Sequence, residues 1–91
     1  MDRVREKILT AAIAHYGSAT QWSKAIEELS ELIRALARAN DAENIAEEMA
    51  DVRIMLDQLE IILGNHDQVR QWEFRKLQRL NARTKAATEV T

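Results

Sequence analysis

The stretch "IAEEMADVRIMLDQLEIIL", residues 45–63, carries apolar side chains at helical spacing from end to end. At 100° per residue, Ile45, Met49, Val52, Met55, Leu56, Leu59 and Leu63 fall on one stripe, the pattern of an amphipathic α-helix rather than a strand. Glu48 lies inside that apolar sector, with Asp51 on its margin at i+3. An ionised carboxylate taken out of water without a partner neutralises itself by raising its pKa, so something positive has to meet Glu48.

Working outward, nothing breaks helical periodicity anywhere. The 91-residue chain has no proline, and its two glycines, Gly17 and Gly64, stand where helices would stop. Asp2 is placed to cap a first helix running to Tyr16, with Val4, Ile8, Leu9, Ala12 and Ile13 on one side. Ser18 and Gln21 have capping-box spacing for a second helix ending near Asn40, and Asn40 with Glu43 repeats that spacing for the third. A fourth helix spans about His66 to Lys85, and "AATEVT", 86–91, reads as a frayed tail. The expectation is one all-α domain over 1–91: an antiparallel bundle of about four helices.

A chain this short buries only about 60 to 65% of the surface it exposes unfolded. With no cysteine it has neither disulfides nor thiolate metal sites to support a thin core. The third helix also carries a second apolar line, Ala50, Ile54 and Ile61, roughly opposite the first. Helices apolar on two sides belong in the middle of a bundle, so we expect a C2 homodimer, or a tetramer by a second pairing, to complete the core. No stretch approaches the roughly 18 to 20 apolar residues of a membrane span. The start is too charged, and too soon polar again, for a signal peptide, so a soluble cytoplasmic protein is expected.

Net charge is only −2, but its distribution is uneven: residues 27–60 hold ten acids against three basic residues, between two basic ends. In the second helix the apolar stripe is Trp22, Ala25, Ile26, Leu29, Leu32, Ile33 and Leu36, and Glu28 lies at its edge with Glu31 one turn on. The short link around "RANDAEN" makes the second and third helices antiparallel neighbours. Glu28 and Glu31 can then face Glu48 and Asp51 across one cleft. Glutamate pairs are ordinary on solvated helix faces, but two of them flanking apolar stripes on adjacent helices are not. Oxygen ligands from facing helices suit a hard divalent cation, Mg²⁺ or Mn²⁺. His15 and His66 lie near helix ends without metal-ligand spacing, which argues against zinc. Glu27, Glu43 and Glu47 point further from the stripes and read as surface charge.

In the order Glu28-x-x-Glu31, sixteen residues, Glu48-x-x-Asp51, with the basic "KLQRLNAR" behind them, the chain resembles the MazG-like all-α nucleoside triphosphate pyrophosphohydrolases. The resemblance covers "QWSKAIEELSELIRAL" and "IAEEMADVRIMLDQLEIIL" and is strongest to the short single-domain bacterial and phage type. It implies Mg²⁺-dependent hydrolysis of a nucleoside triphosphate between its α and β phosphates, with Mn²⁺ as a substitute ion. Glu28, Glu31, Glu48 and Asp51 would be the metal ligands, in a homo-oligomer whose sites are built partly from the neighbouring chain. Lys76, Arg79 and Arg83 share one face of the fourth helix and could grip phosphates, with Lys24 a further candidate beside Glu28. Asn81 matches an amide of some relatives. A general base could be Glu27 or one of the four acids. Trp22, Trp72 and Tyr16 could stack on a base, although aromatics at helical spacing more often fill a core. Two other classes stand beside the enzyme: a non-catalytic helical module for a protein partner, and nucleic-acid binding through the fourth helix. The acidic middle opposes the latter, and no nucleic-acid or membrane partner is expected.

Overall fold

The computed structural model describes residues 1–39 and 41–90, with side chains through Lys85. Four helices follow one another: α1 (Arg3–Tyr16), α2 (Ser18–Arg38), α3 (Ala42–Leu63) and α4 (His66–Val90). No strand occurs among the described residues, so the chain is all-helical as its periodicity requires. The side chains of 86–91, the expected frayed tail, lie outside the described ones, and the helix itself continues to Val90 rather than ending near Lys85.

The helix ends follow local chemistry, with two corrections. Asp2 caps α1 by accepting the Arg5 N–H at 2.8 Å. Gly17, at φ +91°, ends α1 and opens α2, a single-residue corner that a side chain would strain. Ser18 is therefore already helical and caps nothing, and Gln21 points into the interior instead of back at a cap. α3 is capped by Asp41, whose carboxylate accepts the N–H groups of Glu43 and Asn44 at 3.0 and 3.3 Å. The expected cap, Asn40, lies outside the described residues. Gly64 closes α3 in the left-handed region, and Ala39 closes α2 there without glycine's freedom.

Antiparallel α2 and α3 form the main interface, α1 packs on both, and among the described residues the backbone of α4 comes close to that of α3 and of no other helix. Between α2 and α3 lie Ala25, Ala35, Val52 and Met55, and α1 contributes Leu9. An amide pair completes the layer: Gln21 Nε2 donates to Gln58 Oε1 at 2.7 Å, with Gln58 only 3% exposed. Arg5 of α1 meets Asp57 of α3 at 2.6 Å, a half-exposed ion pair worth about 1 kcal/mol or less.

The face that α2 turns inward is only partly the expected stripe, of which Ala25 is buried and Leu32 half-buried. Gln21, Ala25, Glu28 and Ala35 are buried, while Trp22, Ile26, Leu29, Ile33 and Leu36 are exposed, Ile33 to 68%. On α2 the inward face is made of alanine, Gln21 and Glu28, and most of the large apolar residues are rotated to one side. On α3 the expected stripe is split: Val52 and Met55 are buried and Ile45 and Leu59 half-buried, with Gln58 beside them, while Met49, Leu56 and Leu63 are exposed. In an antiparallel pair, rotation in the same sense from a shared interface brings both sets onto one side, which makes an apolar wall. On α1, Val4 and Ile8 are exposed as well. Of the second apolar line, Ile61 is half-buried, while Ala50 and Ile54 are exposed.

The consequence is an open molecule. The chain exposes 7254 Å², where a compact monomer of 10.4 kDa would expose about 5,400 Å². Its radius of gyration, 16.6 Å, exceeds the roughly 12 Å of a compact 91-residue domain.

Candidate metal centre

On the side of the α2–α3 pair opposite the apolar wall, the two acid pairs come together. Glu28, Glu48 and Asp51 each offer a carboxylate oxygen within 4.8 Å of the others, and Glu27, Glu28 and Glu31 do the same. Glu28 belongs to both sets. Oxygens around one octahedral Mg²⁺ lie up to about 4.2 Å apart. The observed spread therefore needs little closing to hold such an ion. Glu31 and Glu48 also line a common cleft, so all four acids expected from the sequence reach one region.

Glu28 is the centre of this arrangement and is only 7% exposed. Its Oε1 receives the Lys24 ammonium at 3.1 Å, and Lys24 also stands 3.6 Å from Glu27. Its Oε2 is buried with no hydrogen-bond partner, and so is Oε2 of Glu48. Buried carboxylate oxygens left unpaired cost several times what a satisfied one does. Two of them in one acidic cluster mark a place that a cation would complete, and a hard oxygen donor set fits Mg²⁺ or Mn²⁺.

The electrostatics agree with the geometry. Desolvation raises the pKa of Glu48 above the ordinary glutamate value, and the negative charges of Glu31, Asp51, Glu28 and Glu47 raise it further. Lys24 is shifted upward as well, by its hydrogen bond to Glu28 first and then by the charge of Glu27. One ammonium is thus set against a cluster of acids, and it satisfies only one of the two oxygens of Glu28.

The other residues singled out in the sequence lie elsewhere. Lys76, Arg79 and Arg83 are exposed along α4, which makes no contact with α2, so within one chain they do not reach the acids. Lys76 and Arg75 instead lean over the Trp72 ring, 6.0 and 5.1 Å from its centroid. Asn81 is exposed on the same helix. None of Trp22, Trp72 and Tyr16 is buried, so none fills the core of this chain. His15 stacks edge-on with Tyr16 in the last turn of α1, and His66 Nδ1 lies 2.9 Å from Glu60 Oε2.

Two features of the site escaped the sequence reading. The Gln21–Gln58 pair continues the acidic faces, since Gln21 precedes Glu28 by seven residues and Gln58 follows Asp51 by seven. That heptad spacing was the available signal. At the other end of the cleft stand Arg34, Arg38 and Asn44, with Arg38 seven residues after Glu31 and Asn44 four before Glu48. Comparison of the chain with protein-family models, curated proteins and solved structures gives no match in any of the three.

Proposed function

We propose that the chain is a MazG-like nucleoside triphosphate pyrophosphohydrolase that works with Mg²⁺, or Mn²⁺ in its place. The observation that carries this reading is the pair of buried, unpartnered oxygens, Glu28 Oε2 and Glu48 Oε2, inside a cluster with Asp51. Glu28, Glu31, Glu48 and Asp51 would hold the ion, and Lys24, 3.1 Å from Glu28 Oε1, would orient that carboxylate. A bound Mg²⁺ would draw in the triphosphate, offset the charge growing on its oxygens and acidify the attacking water. Water adds across the α–β anhydride: its oxygen bonds to one phosphorus and the bridging oxygen departs with the other. The products are the nucleoside monophosphate and pyrophosphate, with a proton released. A carboxylate left free of the ion, Glu27 or one of the four, would accept that proton.

The working form in this reading is a homodimer. The surplus surface, about 1,850 Å² per chain against a compact monomer, is of the size that obligate dimers bury. The wall of Trp22, Ile26, Leu29, Ile33 and Leu36 is its natural contact. α4 leaves the body as an arm, able to carry Lys76, Arg79 and Arg83 to the phosphates of a second copy's site.

The test is pyrophosphate release from a panel of ribo- and deoxynucleotides with Mg²⁺, comparing the native chain with Glu48→Gln. We expect turnover of at least one nucleotide and a loss of roughly a hundredfold or more in the variant, the scale of removing one electrostatic element of a site. Equal activity in the variant would discredit the metal ligands. The exposed apolar wall also favours a second reading, a non-catalytic helical module that engages a protein partner. No turnover of any nucleotide, with thermal stability indifferent to Mg²⁺, would favour that module.

A further inference from the structure

The acid cluster opens at one end into a cleft of about 300 Å³ lined by Glu31, Arg34, Ala35, Arg38, Asn44 and Glu48. It lies near the α2–α3 link and is built on regular helix: Glu31, Arg34, Ala35 and Arg38 recur at i, i+3, i+4 and i+7 on α2, and Asn44 and Glu48 at i and i+4 on α3. Ala35, 4% exposed, forms the floor, and its short side chain leaves the space open. Arg34 and Arg38 are exposed at the rim, while Glu31, Asn44 and Glu48 are half-buried.

What sets the cleft apart is that its cations remain available. Among the described residues neither Arg34 nor Arg38 makes a salt bridge or a side-chain hydrogen bond, although Glu31 and Glu48 line the same space. The lining holds no aromatic and no large apolar residue, so a nucleobase would find nothing to stack on. Two guanidinium forks and a carboxamide suit the oxygens of phosphate groups. The flanking carboxylates would repel a bare anion but accept one that arrives on a divalent cation, and buried Glu28, with its unpartnered Oε2, marks where that cation sits. A volume of 300 Å³ is at the lower end of small-molecule sites, enough for a phosphate chain and short of a whole nucleotide.

We infer that Arg34, Arg38 and Asn44 form the subsite for the terminal, departing phosphates of a metal-bound polyphosphate. This rests on the reading of Glu28, Glu31, Glu48 and Asp51 as a divalent-ion site. The cleft then recognises the number of phosphates and leaves the base to be read elsewhere.

The test separates the two ideas. Mn²⁺ binding to the metal-free protein is followed by electron paramagnetic resonance, and binding of inorganic pyrophosphate and of a nucleoside monophosphate, both with saturating Mg²⁺, by calorimetry. The proteins are the native chain, Arg34→Gln, Arg38→Gln and Arg38→Lys. Both arginines are exposed, and circular dichroism verifies that each variant folds. We expect Mn²⁺ affinity to be no weaker in any variant. Pyrophosphate affinity should fall at least about tenfold in each Gln variant, the scale of one charged hydrogen bond, with partial recovery in Arg38→Lys. The monophosphate should bind alike in all four. Native Mn²⁺ binding with pyrophosphate affinity indifferent to both arginines would overturn the subsite and leave the metal centre standing. An equal loss for the monophosphate would overturn the assignment to the terminal phosphates. No Mn²⁺ binding by the native chain would overturn the metal centre, and the subsite with it.

Discussion

The two sides of the α2–α3 pair are made by the same two helices and have opposite characters. One side gathers Glu28, Glu31, Glu48 and Asp51 around two unpartnered oxygens; the other lays out Trp22, Ile26, Leu29, Ile33, Leu36, Met49, Leu56 and Leu63 in the open. Between them runs a layer of small and amide residues, Gln21, Ala25, Ala35 and Gln58. The lesson is that a helix's largest apolar residues need not face its nearest neighbour in the chain. Here the intrachain contact sets the alanines and Gln21 of α2 against Val52, Met55 and Gln58 of α3, with the carboxylates of both helices converging beside it. The bulky residues are left for a different contact.

The strongest way to break this division is to charge the wall. Ile33→Asp would place a carboxylate in the proposed dimer contact, weakening association by about 4 kcal/mol, close to a thousandfold. Sedimentation should then find monomers where the native chain is dimeric, and a native chain already monomeric at working concentrations would remove the dimer from the proposal. A smaller effect is expected in the layer between the sides. Gln58→Ala strands the Gln21 amide away from water, and chemical denaturation should register a loss of about 2 kcal/mol. At the link beside the cleft the sign reverses. Ala39 is held at φ +48°, so Ala39→Gly should stabilise the chain by about 1 kcal/mol in the same measurement.

The last effect is a slope. Glu48 has a raised pKa in the folded chain, so below the ordinary glutamate value of 4.5 it is protonated both folded and unfolded and carries no penalty. As pH rises through its folded-state pKa, the folded chain must ionise a desolvated carboxyl among negative neighbours, and the stability held at low pH is lost. Thermal unfolding of the metal-free protein should therefore show a decline across that window that Glu48→Gln flattens. Mg²⁺ should reverse the decline in the native chain alone. A native slope unchanged by the substitution would mean that Glu48 does not sense its neighbours.

Helix number, the Asp2 cap and the Gly17 and Gly64 terminators were legible because each is a local event involving residues within one turn. The acid pairs were legible for the same reason: i, i+3 spacing on an uninterrupted helix fixes a shared face whatever the helix packs against. Which face would turn inward was not. Periodicity identifies the side of α2 that seeks cover, but Ile33 and Leu36 do not reveal whether the cover comes from α3 or from outside the chain. The two misplaced caps share one cause. Capping-box spacing at Ser18 and Asn40 competes with the backbone of Gly17 and the carboxylate of Asp41, each adjacent in sequence and better suited to the corner. Arg34 and Arg38 pass for surface charge until α3 sets Asn44 and Glu48 opposite them.

The Gln21–Gln58 contact bears on how the molecule responds to load. Both partners are carboxamides, which carry no charge at any pH the protein survives. A change of charge among the carboxylates two turns away therefore leaves this hydrogen bond's own partners unaltered. The contact thus holds α2 and α3 side by side next to the acids without adding a charge to them.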